Sequence, residues 1–409
     1  TTVKVTLIGM GPGAASALTV EAVEALKAAD CLLGSHRLLQ ECPFAPGVPR
    51  FAATKSAEIM SHLTERAWET PCVLYSGDTG FYSGARTLLP LLRERGAAVR
   101  VLPGISSVQY FAAQLGRPWQ EWQVVSAHGL RCDPVGEILA AEGKPVFFLT
   151  GGPGGPGELC GRLQEAGLGG LTVTVGESLS YPEERIRSGS AYELAGREDL
   201  SPLSVVLVEG YAPPAHAPRS QGWEDGVFLR GEVPMTKQEI RAAALGKLEV
   251  RDGETYWDVG AGTGSVSVEL ARLAPRGKVY AVECGGEACA LIRANRERFA
   301  AYNLTLVEGR APKVLEGLPS PDGVFVGGSD GELVSILEIA LTRNPAVRIC
   351  VTAIAVETLG TAVAAMTQLG MTTKITQLAT ARSRSTGGLH LMMGQNPVWI
   401  ITGQREALV

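Results

Sequence analysis

The run Tyr211-Ala-Pro-Pro-Ala-His-Ala-Pro-Arg-Ser-Gln-Gly222 has no apolar period, and an alternation of strand-like and helix-like segments stops before it and restarts after it. That interruption limits the fold more than any other feature. It reads as a semi-rigid linker between two α/β domains. A chain of 409 residues suits two domains of roughly 100–200 residues each. The expected boundaries are 1–212 for the first domain, 213–230 for the linker and 231–409 for the second domain.

In the first part, strand-like runs at Val3–Ile8, Val73–Ser76, Val99–Leu102 and Val146–Thr150 each precede a helical stretch, and Leu171–Val175 and Ser204–Glu209 follow. In the second part, strands are expected at Thr255–Val259, Lys278–Val282, Leu304–Glu308, Gly323–Val326 and Arg348–Ala353, with helices between them. Lys374–Ala379 and Val398–Thr402 have the pattern of an antiparallel hairpin at one sheet edge.

Hydrophobic residues make up 45% and charged residues 19% of the chain, and the formal net charge is -5. Neither half is basic, so nucleic acid is not the expected partner; a few clustered arginines remain compatible with an anionic small substrate. The eight cysteines are scattered without a C-x-x-C pair, which argues against zinc and for thiols in a reducing compartment. The sequence shows no basic-then-apolar leader and no apolar run near the ~20 residues of a membrane span. A cytoplasmic location without membrane attachment is the expectation.

Asp258-Val-Gly260-Ala261-Gly262-Thr263-Gly264 lies between a strand and a helix. Glycines there let the backbone approach a cofactor, and the helix start offers free N–H groups. A nicotinamide dinucleotide loop, G-x-G-x-x-G, needs a third glycine at position 265, where this chain has Ser265. Glu283, ending the next strand, suits ribose hydroxyls in either case. A nicotinamide-dependent oxidoreductase and a nucleic-acid methyltransferase therefore stand as alternatives. Glu308-Gly-Arg310-Ala311-Pro and Phe325-Val-Gly-Gly328-Ser end further strands, on the side where open α/β sheets bind ligands.

These motifs, with Met235-Thr236-Lys237 and Asn396-Pro-Val-Trp-Ile-Ile401, resemble class I Rossmann-like S-adenosylmethionine methyltransferases, in particular the carbon-15 methyltransferases of cobalamin synthesis. The resemblance covers nearly all of the chain after the linker. It implies cofactor contacts at Thr236, Gly260, Ala261, Gly262, Thr263, Gly264, Glu283, Ala311 and Gly328. The family often carries Asp or a small residue where Arg310 stands, so backbone contact at Ala311 is the transferable one.

In the first half, Ile8-Gly-Met-Gly-Pro12-Gly13, Ser76-Gly77-Asp78-Thr79-Gly and Leu102-Pro-Gly-Ile-Ser106-Ser107 each follow a strand. Together with Gly34-Ser-His-Arg37, Ser126-Ala-His128-Gly and Val175-Gly-Glu-Ser-Leu-Ser-Tyr-Pro-Glu183 they resemble the class III tetrapyrrole methylases, and within them the carbon-5 branch. Thr79 departs from the usual Gly-Asp-Pro. The match implies an S-adenosylmethionine pocket at Pro12, Gly77, Asp78, Ser106, Ser107 and Leu149. Asp78 also suits a turn or helix cap. The tract Gly151-Gly-Pro-Gly-Gly-Pro-Gly157 reads either as a flexible loop or as a ligand cradle.

The fused pair resembles the precorrin-6Y C(5,15)-methyltransferase (decarboxylating) family. This implies two S-adenosylmethionine sites per chain and an anionic tetrapyrrole (precorrin) substrate. It also implies methylation of precorrin-6Y (precorrin-6B) at meso carbons 5 and 15, loss of the ring C acetate carboxyl to give precorrin-8x, and homo-oligomeric assembly. Meso carbons are enamine-like nucleophiles and a protonated ring imine is an electron sink, so no metal is expected and no catalytic base is assigned. Arg37, His128, Arg131, Arg382 and Arg384 are the candidate substrate contacts, with Arg310 as a further cation. The last two of the five lie in Ala381-Arg-Ser-Arg-Ser-Thr-Gly-Gly388, read as a polar glycine-rich loop.

Overall fold

A computed structural model describes residues 4–127, 132–151, 154–215 and 218–406. Two compact units result: Thr1–Cys132 with Lys144–Glu165 and Gly169–Gly210, and Asp133–Gly143 with Ala166–Leu168 and Tyr211–Val409.

The first unit holds two five-stranded sheets. One contains β1 (Lys4–Gly9), β2 (Cys31–Gly34), β3 (Arg50–Ala52), β4 (Pro71–Tyr75) and β5 (Ala98–Leu102) in the order β3-β2-β4-β1-β5. All its pairings are parallel. Such a sheet needs cover on both faces, and the strands supply it by alternation. Leu33 and Val73 enter one core cluster, whereas Leu32, Cys72 and Leu74 enter the other. Thr19 caps the helix Val20–Lys27 by accepting from Ala22 N–H at 3.1 Å. The other sheet contains β6 (Gln123–Ser126), β7 (Val146–Leu149), β8 (Thr172–Glu177), β9 (Arg185–Ser190) and β10 (Ser204–Glu209), in the order β6-β7-β10-β8-β9. Only β6 and β7 pair in parallel there.

The second unit is built on β11 (Thr255–Val259), β12 (Lys278–Glu283), β13 (Leu304–Glu308), β14 (Gly323–Val326), β15 (Arg348–Ala353), β16 (Thr372–Leu378) and a last strand, β19 (Val398–Gln404). Their order is β13-β12-β11-β14-β15-β19-β16. The first five run parallel, and β19 lies antiparallel between β15 and β16. Neighbouring residues again point to opposite cores: Tyr256, Phe325 and Ile400 to one, Trp257, Val326 and Ile401 to the other. Period-two alternation on a sheet covered on both faces gives this split.

Two sequence readings change here. The segment 381–388 is not a loop: β17 (Ala381–Thr386) pairs antiparallel with β18 (Leu389–Gly394) in a separate hairpin. The stretch 213–230, read as linker, is packed from Gly222 onward. Trp223 and Phe228 are buried in the second unit's core, stacked 5.9 Å apart and both against Phe299. Aromatic burial outweighs the small-residue composition around them.

Candidate active site

A cavity of about 910 Å³ opens at the carboxyl ends of β11 to β15. Its floor is the loop after β11. Gly260 adopts a φ of 71°, and a Cβ there would lie 2.5 Å from the Gly328 carbonyl oxygen. Only glycine lets the loops after β11 and β14 close to this distance. Gly260 and Ala261 N–H groups both donate to the Val282 carbonyl, at 3.0 and 3.1 Å, which fixes the loop over β12.

Glu283 ends β12 with its carboxylate aimed back at that loop. One oxygen accepts from Gly262 N–H at 2.8 Å, and the other from Cys284 and Gly285 N–H at 2.8 and 2.9 Å. Three donors orient it while lone pairs stay available, since an ionised carboxylate offers about four acceptor sites. Asp258, at the end of β11, is 1% exposed. One of its oxygens accepts from the Ser267 hydroxyl and the other has no partner among the described residues. Burial pushes its carboxyl up to about 7; the Ser267 bond opposes that rise and the Glu283 charge adds to it. The Thr263 hydroxyl, also on the cavity wall, is buried without a partner among the described residues.

The segment Val233–Lys237 forms another wall. It is held from behind by Arg241, a fully buried side chain that donates through Nη1 to the Thr236 carbonyl at 2.5 Å and through Nε to Glu269 at 2.6 Å. The same guanidinium reaches the Trp223 carbonyl and, at 3.2 Å, Asp225. Glu269, equally buried, also accepts from Gly222 and Trp223 N–H at 2.6 and 3.1 Å.

Of the residues singled out in the second half, Thr236, Gly260, Ala261, Gly262, Thr263, Glu283, Ala311 and Gly328 line this one cavity. Gly264 does not; it is the N-cap of the helix Ser265–Leu273. Arg382 is engaged elsewhere, donating to Glu239 at 3.0 and 2.5 Å and to Asp225 at 2.7 Å. Arg384 stands on the exposed hairpin beside Leu389, Leu391 and Met392. Arg241 and Glu269 escaped the sequence reading, because an arginine in a helix usually marks a solvated face.

In the first unit, the strand-end segments also converge. Gly11 and Gly77 exchange backbone hydrogen bonds at 3.0 and 2.8 Å, joining the loops that follow β1 and β4. Asp78 accepts from Gly80 N–H at 2.9 Å and from Gly104 N–H at 3.0 Å, so its side chain secures the turn. Thr79 donates to the Leu102 carbonyl at 3.3 Å. Ser106 caps the helix Ser107–Gln114 in a capping box with Gln109. Leu149 packs in the same cluster as Val108 of that helix. Arg37 bonds Tyr181 and Glu41, and Tyr181 donates to Glu41 at 2.7 Å. The Tyr181 ring lies 2.3 Å from where a Gly13 Cβ would stand, a contact that no sequence motif announced. His128 and Arg131 lie outside the described residues, as do 152 and 153 of the glycine tract.

Among the described residues no group of three or more His, Cys, Asp or Glu is arranged around a metal position. No helix of these residues is long and apolar enough to cross a membrane.

Residues 4–195 match the tetrapyrrole (corrin/porphyrin) methylases, and residues 227–404 match the precorrin methyltransferase domain. A precorrin-6Y C(5,15)-methyltransferase [decarboxylating] from Sinorhizobium sp. is 33% identical over 333 residues, covering 80% of this chain and 79% of the relative. A probable cobalt-precorrin-6B C(15)-methyltransferase (decarboxylating) from Pyrobaculum calidifontis is 44% identical over 184 residues, 44% of this chain and 94% of that protein. A crystal structure of a precorrin-6Y C5,15-methyltransferase from Geobacter metallireducens GS-15 has 36% identity and a TM-score of 0.45, covering 47% of this chain and 100% of that one.

Proposed function

The chain belongs to the precorrin-6Y C(5,15)-methyltransferase (decarboxylating) family, and on that premise we propose that it carries two separate S-adenosylmethionine sites, one in each half. It is a methyltransferase of cobalamin biosynthesis that couples methylation with decarboxylation. We assign carbon-5 methylation to the first half, and carbon-15 methylation with loss of the ring C acetate carboxyl to the second. The similarity to a C(15)-methyltransferase that is matched over 94% of its length by 184 residues supports that division.

The observation that carries the reading is the convergence of eight positions from five separate segments on one cavity beyond the carboxyl ends of a parallel sheet, the place where such sheets bind ligands. The residues fit the donor. The Gly260 loop leaves room that a Cβ would fill, Glu283 is held with acceptor capacity to spare, and Thr263 presents an unpartnered hydroxyl. In this reading Glu283 takes the ribose hydroxyls, the Ala311 backbone meets the adenine, and Thr236, Gly262 and Gly328 enclose the remainder. The first-half site comprises Pro12, Gly77, Asp78, Ser106, Ser107 and Leu149. When bound, S-adenosylmethionine supplies an electrophilic methyl group. The chain's own residues hold the acceptor carbon in line with it and exclude water. The cavity volume is near the upper end of the roughly 300–1,000 Å³ typical of ligand sites, so the side near Thr358, Gln395 and Asn396 is available to the tetrapyrrole.

The chain acts in the cytoplasm on an anionic tetrapyrrole rather than on nucleic acid, and it assembles with copies of itself. The exposed hairpin supports self-association, with Leu389 66%, Met392 65%, Leu391 49% and Met393 46% exposed; soluble monomers seldom show such a patch.

Titration calorimetry with S-adenosylhomocysteine tests the two-site reading. Two equivalents per chain are expected, falling to one in Gly262→Val. A stoichiometry of one that this substitution leaves untouched refutes it, and binding of NAD in its place favours an oxidoreductase.

A further inference from the structure

Five charged side chains line the second unit's cavity among the described residues: Lys237, Asp258, Glu283, Arg310 and Asp330. Asp258 is committed to the interior, and Glu283 is oriented towards the glycine loop by the bonds already described. Arg310 and Asp330 instead meet at the rim, with Nη1 donating to a carboxylate oxygen at 2.6 Å and the side chains 65% and 62% exposed. Arg310 follows β13 and Asp330 follows β14, so the pair joins two walls of the mouth. Asp330 holds this position with a φ of 47°, a left-handed conformation that a side chain other than glycine adopts at a cost.

We propose that Arg310 receives a carboxylate of the tetrapyrrole at this mouth, and that Asp330 is a resident substitute carboxylate which the substrate displaces. The inference rests on the proposed tetrapyrrole methylation in this unit. Three features support it. An ion pair this exposed contributes little to stability, so its partners exchange readily. The guanidinium engages Asp330 through Nη1 alone, whereas an incoming carboxylate has room to bind the fork through two parallel bonds. Asp330 also places a negative charge at the cavity rim, where it repels a polyanionic ligand and so acts as a competitor and not a helper.

The two partners should therefore respond to substitution with opposite signs. Arg310→Ala should raise KM for the tetrapyrrole in carbon-15 methylation about tenfold, the scale of a lost charge-assisted contact. Arg310→Lys, which keeps the charge and loses the fork, should fall between it and the parent. Asp330→Asn should lower KM about two- to threefold, because an exposed pair is weak. All three should leave the affinity for S-adenosylhomocysteine within about twofold of the parent, as expected for a group that meets the substrate alone. A rise in KM for both Arg310→Ala and Asp330→Asn would make the pair a structural brace and overturn the proposal. So would indifference of KM to all three variants, or a loss of donor affinity in Arg310→Ala. Absence of any methylated product from the parent chain would instead strike at the proposed function itself.

Discussion

Replacing Arg241 by methionine tests whether one buried guanidinium keeps the cofactor wall in place. The substitution roughly preserves volume while removing every donor that the arginine supplies to Glu269, Asp225 and the carbonyls of Trp223 and Thr236. Breaking a fully buried ion pair by deleting one partner costs about 3–5 kcal/mol. The lower end is expected here, since Glu269 keeps two backbone N–H partners; the two orphaned carbonyls act in the other direction. For a unit of this size each kcal/mol lowers Tm by roughly 2–4 °C, so a fall of about 10 °C is expected. Urea unfolding of the full chain, followed by tryptophan fluorescence, should show the second unit's transition moving while the first unit's stays. Adding Glu269→Gln should cost less than the sum of the two single changes, because it removes the charge that the first left unpaired. A loss under about 1 kcal/mol, or full additivity, would refute the reasoning.

Two further outcomes follow from the same structure. Asp258 has its carboxyl raised to about 7 from an ordinary 3.8, so the folded state holds its proton more tightly than the unfolded chain; this stabilisation is complete below the unfolded value and is lost as pH rises towards 7. Asp258→Asn should therefore gain stability relative to the parent between pH 4 and pH 7, measured by urea midpoints, and a constant difference across that window would remove the assignment. Changing Leu389 and Met392 to serine should lower the molar mass in light scattering while the donor stoichiometry stays unchanged; an unaltered mass would separate the hairpin from assembly.

The second unit was the more legible half, for a physical reason. Its strands β11, β13 and β14 are short apolar runs bounded by glycine, asparagine or charged residues, and their expected limits, like those of β15, coincide with those observed. The first unit's β2 and β3, four and three residues long, offer too little sequence for a period to emerge. The β17 to β18 hairpin was misread because Arg-Ser-Arg-Ser shows no apolar face. A signal was nonetheless present: Thr386 pairs with Leu389 across a two-residue Gly387-Gly388 turn with φ of 57° and 79°, and Gly-Gly favours such hairpin turns. The cavity's glycines and Glu283 were legible because their backbone requirements leave a mark in the sequence. Arg241 and Tyr181 were not, since their roles depend on contacts with distant residues such as Glu269 and Gly13.

The packing of Gly222 to Phe228 decides where this polypeptide tolerates scission. A cut at position 231 would strip Trp223 and Phe228 from Phe299 and leave Glu269 without the two amides that cover it. A cut ahead of residue 218 would spare both. Any shortened version of the second half that is meant to stand alone must therefore keep this stretch, which serves as a lid over its hydrophobic interior and not as a tether.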